Sequence, residues 1–338
     1  MKRVFWISLL CIFFRIGAYA QYQPDCLGDD YSYRTFRMPA DYGGEVFATL
    51  VRKEPLPGVN KAVLYVHGYN DYFFQKELGD SVQAHGYNFY ALDLRKYGRS
   101  LTAAQDTFFV KNINEYYADL DTAIATVVRE GNTEIVLMGH STGGLITSLY
   151  LHDKGRSVPV TGLILNSPFL DMNMNWFLEH IGVPAVSFLG KYFPDWQVQG
   201  RGLSMYGESL LKDFHGEWEY DTGRKLLYGH PIKAGWIRAV HRAQKRVWEG
   251  LDIPVPVLLM SSDKSVKEKD GWNDAYKKAD IVLDVTDIQK YGARLGDEVT
   301  YVAIPDGIHD LILSGLPART RAYRTIFDWL PARFHEEN

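Results

Sequence analysis

The sequence contains little cysteine and little net charge, and it lacks several common site motifs. Only Cys11 and Cys26 occur among its 338 residues, and the formal net charge is −4 at pH 7. A mildly acidic chain is a poor candidate for nucleic-acid binding. It has no His-Glu-x-x-His motif, no closely spaced cysteine pair and no Gly-Lys-Ser/Thr ending of a phosphate-binding loop. We therefore predict no nucleic-acid partner, no metal and no cofactor.

Apolar runs long enough to span a membrane are also missing. Residues 4–14 are apolar, and they lie after Lys2 and Arg3 and before Ala-Tyr-Ala at 18–20. A basic start, a short apolar core and small residues at the end are typical of a secretory signal peptide. Because about eleven apolar residues are too few to span a bilayer, we expect residues 1–20 to be cleaved rather than kept as a membrane anchor.

Cleavage after Ala20 would remove three basic residues and no acidic one, which changes the formal charge from −4 to −7. Only Cys26 would then remain, so no internal disulfide could form even in an oxidising compartment. The sequence also lacks an Asn-x-Ser/Thr glycosylation triplet. We expect an exported bacterial protein, periplasmic or secreted, with no stable membrane span after cleavage.

Short strand-like runs alternate with helix-like segments in both halves of the chain. The strand-like runs are 45–53, 61–66, 88–93, 134–138, 160–165, 255–260 and 299–304. Alternation of this kind predicts an α/β fold with a mostly parallel central sheet and helices on both faces. The functional site of such a sheet lies at the carboxyl ends of its strands.

The alternation stops between residues 169 and 250, where aromatic residues are interrupted by glycine and proline. We interpret this stretch as an inserted helical lid, in which most aromatic side chains are core and a minority form an apolar acyl-binding or aryl-binding wall. The predicted organisation is a signal peptide (1–20), the first part of the core (21–168), the lid (169–250) and the second part of the core (251–338).

One motif is typical of a nucleophilic serine. The apolar run 134–138 leads into Gly-His-Ser-Thr-Gly at 139–143, and a helical pattern follows. A sharp turn between strand and helix holds the serine in a strained backbone conformation, so the positions two before and two after it must lack side chains. Gly139 and Gly143 occupy these positions. The pattern predicts that Ser141 is exposed at the start of a helix.

A serine hydroxyl is a weak nucleophile and needs a base, an acid that orients the base, and donors for the oxyanion. His309 follows the last strand and stands after the serine, in the chain order Ser, Asp/Glu, His that this architecture uses. Two residues compete for the acid. Asp263 directly follows the strand at 255–260, whereas Asp280 comes after a polar stretch.

The predicted oxyanion donors are two backbone N–H groups. One belongs to Thr142, the residue after the nucleophile, and the other to Tyr69 in the loop after the strand 61–66. The neighbouring histidines His67 and His140 fit the role of base less well than His309. The three histidines lie on separate loops, which is a further reason to expect no metal.

At these positions the chain resembles the monoacylglycerol lipase and lysophospholipase group of α/β-hydrolases, which also carries the serine aminopeptidase S33 label. The matching motifs are His67-Gly68-Tyr69, the Asp-Leu-Arg-Lys-Tyr-Gly-Arg-Ser run at 93–100, the Gly-His-Ser-Thr-Gly-Gly run at 139–144, Asn166-Ser167-Pro168 and Gly307-Ile308-His309-Asp310. The resemblance implies the α/β-hydrolase fold. It also implies an acid in an Asp-x-Val-x-Asp pattern about thirty residues before the histidine, and Asp280 with Val282 and Asp284 matches this pattern. The resemblance therefore favours Asp280 over Asp263.

These patterns predict an exported serine hydrolase that cleaves carboxylic esters through an acyl-enzyme. The expected partner is a small-molecule ester, either lipid-derived (a monoacylglycerol or lysophospholipid) or a short acyl or aryl ester. Three alternatives stay open: an S33-type aminopeptidase, which needs an acidic group in the lid to hold a free amine; a carbohydrate deacetylase, which would stack sugars on the aromatic lid; and a non-catalytic binding protein, which predicts a broken triad.

Overall fold

The computed structural model describes residues 21–199, 204–269 and 271–334. The predicted signal peptide, residues 1–20, lies outside these residues. None of the helices in the described part of the chain has the length and apolar character that a bilayer crossing requires.

The central element is a sheet of nine strands. The strands within the described residues are β1 (Gln23–Asp25), β2 (Gly28–Asp41), β3 (Gly44–Lys53), β4 (Lys61–Val66), β5 (Asn88–Asp93), β6 (Glu134–His140), β7 (Val160–Asn166), β8 (Gln197–Gln199), β9 (Ile232–Lys233), β10 (Val257–Ser262) and β11 (Val299–Ile304). The sheet order is β1-β2-β3-β5-β4-β6-β7-β10-β11, and β8 and β9 form a separate pair. The first three neighbouring pairs in this order, β1–β2, β2–β3 and β3–β5, are antiparallel. The other five pairs, from β5–β4 to β10–β11, are parallel.

Eight α-helices complete the described part of the fold. They are α1 (Lys76–Ala84), α2 (Tyr117–Arg129), α3 (Thr142–Lys154), α4 (Val183–Leu189), α5 (Ser204–Leu210), α6 (Ala234–Glu249), α7 (Val285–Gly292) and α8 (Leu316–Trp329).

Helices cover both faces of the sheet, and alternate strand residues enter two different cores. On β4, Leu64 belongs to the core under α2, α3, α6 and α7, whereas Val63 belongs to the core under α1 and α8. Because successive side chains of a strand point to opposite faces, a strand buried on both faces is mostly apolar, with polar residues near its ends. All six residues of β5 are buried, as are all six of β10. The predicted α/β-hydrolase architecture with a mostly parallel sheet is confirmed.

The antiparallel start of the sheet was not predicted. Strand β2 is polar, and most of its residues are half-buried or exposed, so its sequence lacks the apolar pattern of the central strands. Its order comes from a long register with β3, which pairs Tyr31 with Lys53 and Met38 with Val46. Helix α1 begins at Lys76, and Tyr72, Phe73 and Phe74 are buried in the loop before it.

Between β7 and β10 the described chain contributes no strand to the nine-stranded sheet. This segment holds α4, α5, α6 and the β8–β9 pair. Helix α6 packs with Val240, Ala243 and Val247 in the same core as α3. The segment is therefore anchored to the core through its last helix. The division of the chain at residues 168 and 250, and the role of the segment as a lid, stay predictions.

Candidate active site

Ser141 occupies the sharp turn that joins β6 to α3. Its φ of 52° and ψ of −119° are strained for a residue with a side chain, and such strain persists only where the surroundings enforce it. A Cβ atom at Gly143 would lie 2.4 Å from the carbonyl oxygens of Val66 and His67, and one at Gly139 would lie 2.7 Å from the Gly143 oxygen. Both positions therefore require glycine, as the motif predicted.

Ser141, His309 and Asp280 meet at the carboxyl ends of the strands. The Nε2 atom of His309 lies 3.0 Å from Oγ of Ser141, and its Nδ1 atom lies 2.9 Å from Oδ2 of Asp280. All three side chains are almost fully buried. The prediction that Ser141 is exposed is therefore wrong, although Ser141 does stand at the start of α3. The imidazole can donate from Nδ1 to the carboxylate while Nε2 accepts from the serine hydroxyl. This is the geometry that proton transfer from serine to histidine needs.

The two candidate acids have different surroundings. The Oδ1 atom of Asp280 accepts hydrogen bonds of 2.8 Å from the N–H groups of Val282 and Leu283, which fixes the carboxylate and leaves Oδ2 for His309. Asp263 is exposed, and its Oδ1 accepts from the Asp306 N–H at 3.0 Å. The structure thus brings Asp280, and not Asp263, to the histidine.

The two predicted oxyanion donors flank the serine. A Cβ atom at Gly68 would lie 2.9 Å from Cβ of Ser141, so the loop that carries Tyr69 touches the nucleophile. Thr142 is the first residue of α3, where N–H groups have no partner within the helix and the helix dipole favours negative charge. The Thr142 Oγ1 atom is buried and has no hydrogen-bond partner among the described residues. Their role as an oxyanion hole stays a prediction.

His67 and His140 are structural. Nε2 of His67 accepts from the Leu94 N–H at 3.1 Å, which leaves Nδ1 to donate to the Gly68 carbonyl at 2.8 Å. His140 Nδ1 lies 3.1 Å from the Asn166 carbonyl oxygen. Burial, the largest influence, lowers the pKa of both imidazoles, so both are neutral at pH 7. In this state His67 holds the Gly68 backbone beside Ser141.

One buried group has donor atoms of the kind that bind metals. Ligand atoms of Asp71, His140 and Asp310 all lie within 4.8 Å of one another. However, Oδ1 of Asp71 accepts from the Lys225 ammonium at 2.9 Å, and Oδ1 of Asp310 accepts from the Asn166 amide at 2.6 Å. A lysine already supplies the positive charge that a cation would bring, so these residues do not fit a metal site.

Asn166 connects the nucleophile to the histidine loop, a role that sequence reasoning did not assign. Its carbonyl accepts from the Ser141 N–H at 3.1 Å, and its side chain donates to Asp310 and accepts from the Leu311 N–H at 3.1 Å. The amide thus fixes the loop that follows His309 relative to the serine turn. The sequence signals were its place at the end of a strand and its part in the Asn166-Ser167-Pro168 motif, and neither of them identified this contact.

Aromatic side chains from the segment between β7 and β10 line the site. The ring of Tyr206 on α5 meets that of His309 edge-on at 5.5 Å, and Trp236 on α6 packs 4.4 Å from Tyr69 and 6.5 Å from Phe169. The Phe169 N–H donates to the Ser141 carbonyl at 3.0 Å, which ties this wall to the nucleophile. The Tyr206 hydroxyl and the Trp236 indole N–H are buried and have no partner among the described residues. These aromatic side chains therefore form an apolar wall that carries two polar groups without a hydrogen-bond partner among the described residues.

The fold resembles those of lipases and esterases. A soluble variant of monoglyceride lipase from Saccharomyces cerevisiae, solved with a substrate analogue, is 17% identical, with 94% of this chain and 96% of that chain covered and a TM-score of 0.62. Monoacylglycerol lipase from Paleococcus ferrophilus is 19% identical, with 86% and 100% covered and a TM-score of 0.61. A thermophilic esterase from Thermogutta terrifontis is 15% identical, with 89% and 100% covered and a TM-score of 0.57.

At this level of identity the structures establish the fold alone. No curated protein matches the chain at a significant level. The family described as serine aminopeptidase, S33, matches residues 57–313, which is most of the chain and includes the serine turn and the histidine loop. The chain belongs to this α/β-hydrolase family.

Proposed function

We propose that this chain is an exported serine hydrolase that cleaves carboxylic esters. The observation that carries the proposal is the continuous contact from Asp280 through His309 to Ser141, at 2.9 Å and 3.0 Å. A serine that contacts a histidine oriented by a carboxylate is the arrangement that activates a hydroxyl for attack on an acyl carbon. The family membership agrees with hydrolysis, and the lipase and esterase folds agree with an ester substrate.

The reaction follows from these groups. The Oγ atom of Ser141 attacks the ester carbonyl carbon while Nε2 of His309 takes the hydroxyl proton. The N–H groups of Thr142 and Tyr69 hold the oxyanion of the tetrahedral intermediate. The bond to the alcohol then breaks, and the alcohol leaves with the proton from His309. Water, deprotonated by the same nitrogen, releases the acid and restores the serine.

A lipid-derived or aryl ester fits the surroundings best. Trp236, Tyr69 and Phe169 supply an apolar wall near the nucleophile. A cluster of large apolar side chains in the segment between β7 and β10 is exposed to solvent. Its members are Met174, Trp176, Phe177, Leu178, Ile181, Phe188, Leu189, Tyr192, Phe193 and Trp196. A large exposed apolar patch marks a surface that meets apolar ligands or partners, which supports a single-chain ester such as a monoacylglycerol or lysophospholipid.

The test is hydrolysis of a p-nitrophenyl ester series from acetate to palmitate by residues 21–338, beside the Ser141→Ala variant. We expect turnover by the wild type, and a loss of about 10³-fold or more in the variant because the nucleophile is gone. The chain length with the highest kcat/KM then measures the acyl pocket. Equal rates for the two proteins would refute the proposal. Detection of the protein in a periplasmic or secreted fraction, with Gln21 as its N-terminus, tests export.

The second candidate is an aminopeptidase, which the family description suggests. Asp171 and Glu179 provide an acidic environment in the segment after β7, and burial, the largest influence, raises the pKa of Asp171 to about 6. A free α-amino group would be attracted to such a pair. Cleavage of aminoacyl-naphthylamides without cleavage of esters would favour this function. Release of acetate from acetylated sugars alone would favour a deacetylase, and inactivity on all three would favour a binding protein.

A further inference from the structure

The loop that carries Tyr69 is held by the segment between β7 and β10. Both polar groups of the Asn70 side chain bind the backbone of Leu226: Nδ2 donates to its carbonyl at 2.8 Å, and Oδ1 accepts from its N–H at 2.9 Å. The Asp221 N–H donates to the Tyr72 hydroxyl at 2.9 Å. These residues are about 150 positions apart in the sequence, so the contact is purely tertiary.

A buried ion pair joins the same two stretches. The Lys225 ammonium donates to Oδ1 of Asp71 at 2.9 Å, and the side chains are 7% and 1% exposed. Asp71 lies beside His140 and Asp310, so without Lys225 two carboxylates would face a neutral imidazole in a buried space. Removing one partner of a buried pair leaves an uncompensated charge, which destabilises the arrangement of the chain that carries it.

The backbone conformation of Asn70 depends on the contact of its side chain with Leu226. Its φ is 51°, in the left-handed region that residues with a side chain adopt at a cost, although asparagine tolerates it better than most. The reciprocal amide contact with Leu226 offsets that cost and selects this conformation. Asn70 directly follows Tyr69, so its φ determines how the chain leaves the residue whose N–H is the predicted oxyanion donor.

We propose that Asn70 and Lys225 are positioning residues that hold the Tyr69 N–H at the oxyanion position. The inference rests on the proposed function, because it assigns the second oxyanion donor of that reaction. An oxyanion donor acts only within about 2.7–3.1 Å of the developing charge, so a small shift of the loop weakens it. Loss of either contact should therefore lower kcat and leave KM nearly unchanged, since the oxyanion forms only in the transition state.

Two pairs of variants, at Asn70 and at Lys225, separate positioning from folding. Asn70→Gly keeps the left-handed backbone without strain and removes both contacts with Leu226. Asn70→Asp keeps the acceptor for the Leu226 N–H and loses the donor. Lys225→Met and the conservative Lys225→Arg form a matched pair. The control is Lys212→Met, which removes an exposed ion pair with Glu219 in the same segment.

The readouts are kcat and KM for p-nitrophenyl butyrate per active site, counted by fluorophosphonate titration, and the inhibition constant of an aryl trifluoromethyl ketone. That ketone forms an oxyanion adduct with serine, so it reports on the oxyanion donors directly. In Asn70→Gly and Lys225→Met we expect kcat to fall about 10–100-fold and the inhibition constant to rise by a similar factor, with KM within about twofold. Asn70→Asp and Lys225→Arg should recover part of the loss, and Lys212→Met should match the wild type.

The positioning role would be overturned if Asn70→Gly and Lys225→Met kept the wild-type kcat and ketone affinity per active site. This holds even if fewer active sites were titrated, because only the fraction of folded protein would then have changed. An effect on KM alone would also overturn it. If the wild type hydrolysed no ester and bound no ketone, the proposed function would fail and this inference with it. Activity in the wild type therefore separates the two failures.

Discussion

Oδ2 of Asp280 lies 2.9 Å from Nδ1 of His309, and the two side chains are 0% and 3% exposed. The other oxygen of Asp280 is held by two backbone N–H groups, so the carboxylate cannot turn away without breaking three hydrogen bonds. Asp263, which directly follows β10, instead binds the backbone of Asp306 in a solvent-exposed turn. This difference leads to the first prediction.

Asp280→Asn should lower kcat by about 10³–10⁴-fold, because an amide cannot stabilise the imidazolium and favours the wrong tautomer. The measurement is ester hydrolysis by purified protein, with stability followed by thermal unfolding. Asp263→Asn is the matched control, and its exposed position predicts a change within about twofold. A larger loss in Asp263→Asn than in Asp280→Asn would reverse the assignment of the acid.

Gly143→Ala should prevent the serine turn from forming. An added Cβ atom would lie 2.4 Å from two backbone carbonyl oxygens, which cannot rotate away as a flexible side chain can. We expect a loss of about 1–3 kcal/mol in the free energy of unfolding, and strongly reduced labelling of Ser141 by a fluorophosphonate. Gly315→Ala is the control, because its added Cβ meets no atom within 4 Å. Normal labelling in Gly143→Ala would contradict the steric argument.

Asp25→Asn should destabilise the protein at neutral pH and much less in acid. Burial alone would raise the pKa of Asp25, but its hydrogen bonds and ion pair with Arg99 outweigh burial and lower it. A lowered pKa contributes stability above the ordinary carboxyl pKa, and this stability is lost as the pH falls through the folded-state value. Denaturant unfolding at pH 7 should show that the variant loses about 1.5–3 kcal/mol in the free energy of unfolding. This difference between variant and wild type should become smaller towards pH 3. A loss of equal size at both pH values would disprove the charge-based explanation.

Asp171→Asn should stabilise the protein at neutral pH, which is the opposite of the effect expected for Asp25→Asn. Burial raises the pKa of Asp171 to about 6, so the folded state is penalised as the carboxyl ionises, fully so above pH 6 and not at all below the ordinary carboxyl pKa. The asparagine has no charge and can still accept from the Met172 N–H. We expect the variant to be more stable than the wild type by about 1 kcal/mol at pH 7.5 and equally stable near pH 4. Thermal unfolding of both proteins across this range checks the sign.

The sequence by itself determined the elements whose signals are local. Strands β4, β5 and β11 have the predicted bounds, because short runs rich in apolar and β-branched residues favour strands. Strands β4 and β5 are buried inside the covered sheet, whereas β11 is mostly half-buried or exposed at its edge. The serine turn was equally local, since the glycines at 139 and 143 are required by contacts within a few residues of the nucleophile or on the adjacent strand end. The position of His309 after the last strand, and after Ser141 in the chain, indicated that it is the base. The family resemblance rests on the motifs around these residues.

Tertiary structure decided what depends on residues far apart in the chain. Asp280 and Asp263 both had a suitable place in the sequence, and the resemblance to a known family favoured Asp280. The path of the chain between β10 and α7 is what brings Asp280 to His309. The polar β2 has no apolar signal, and its order comes from pairing with β3. The contact of Lys225 with Asp71, 154 residues apart, has no periodicity and no motif. Local patterns report which face of an element is buried, whereas partners across the fold are fixed only when the sheet has assembled.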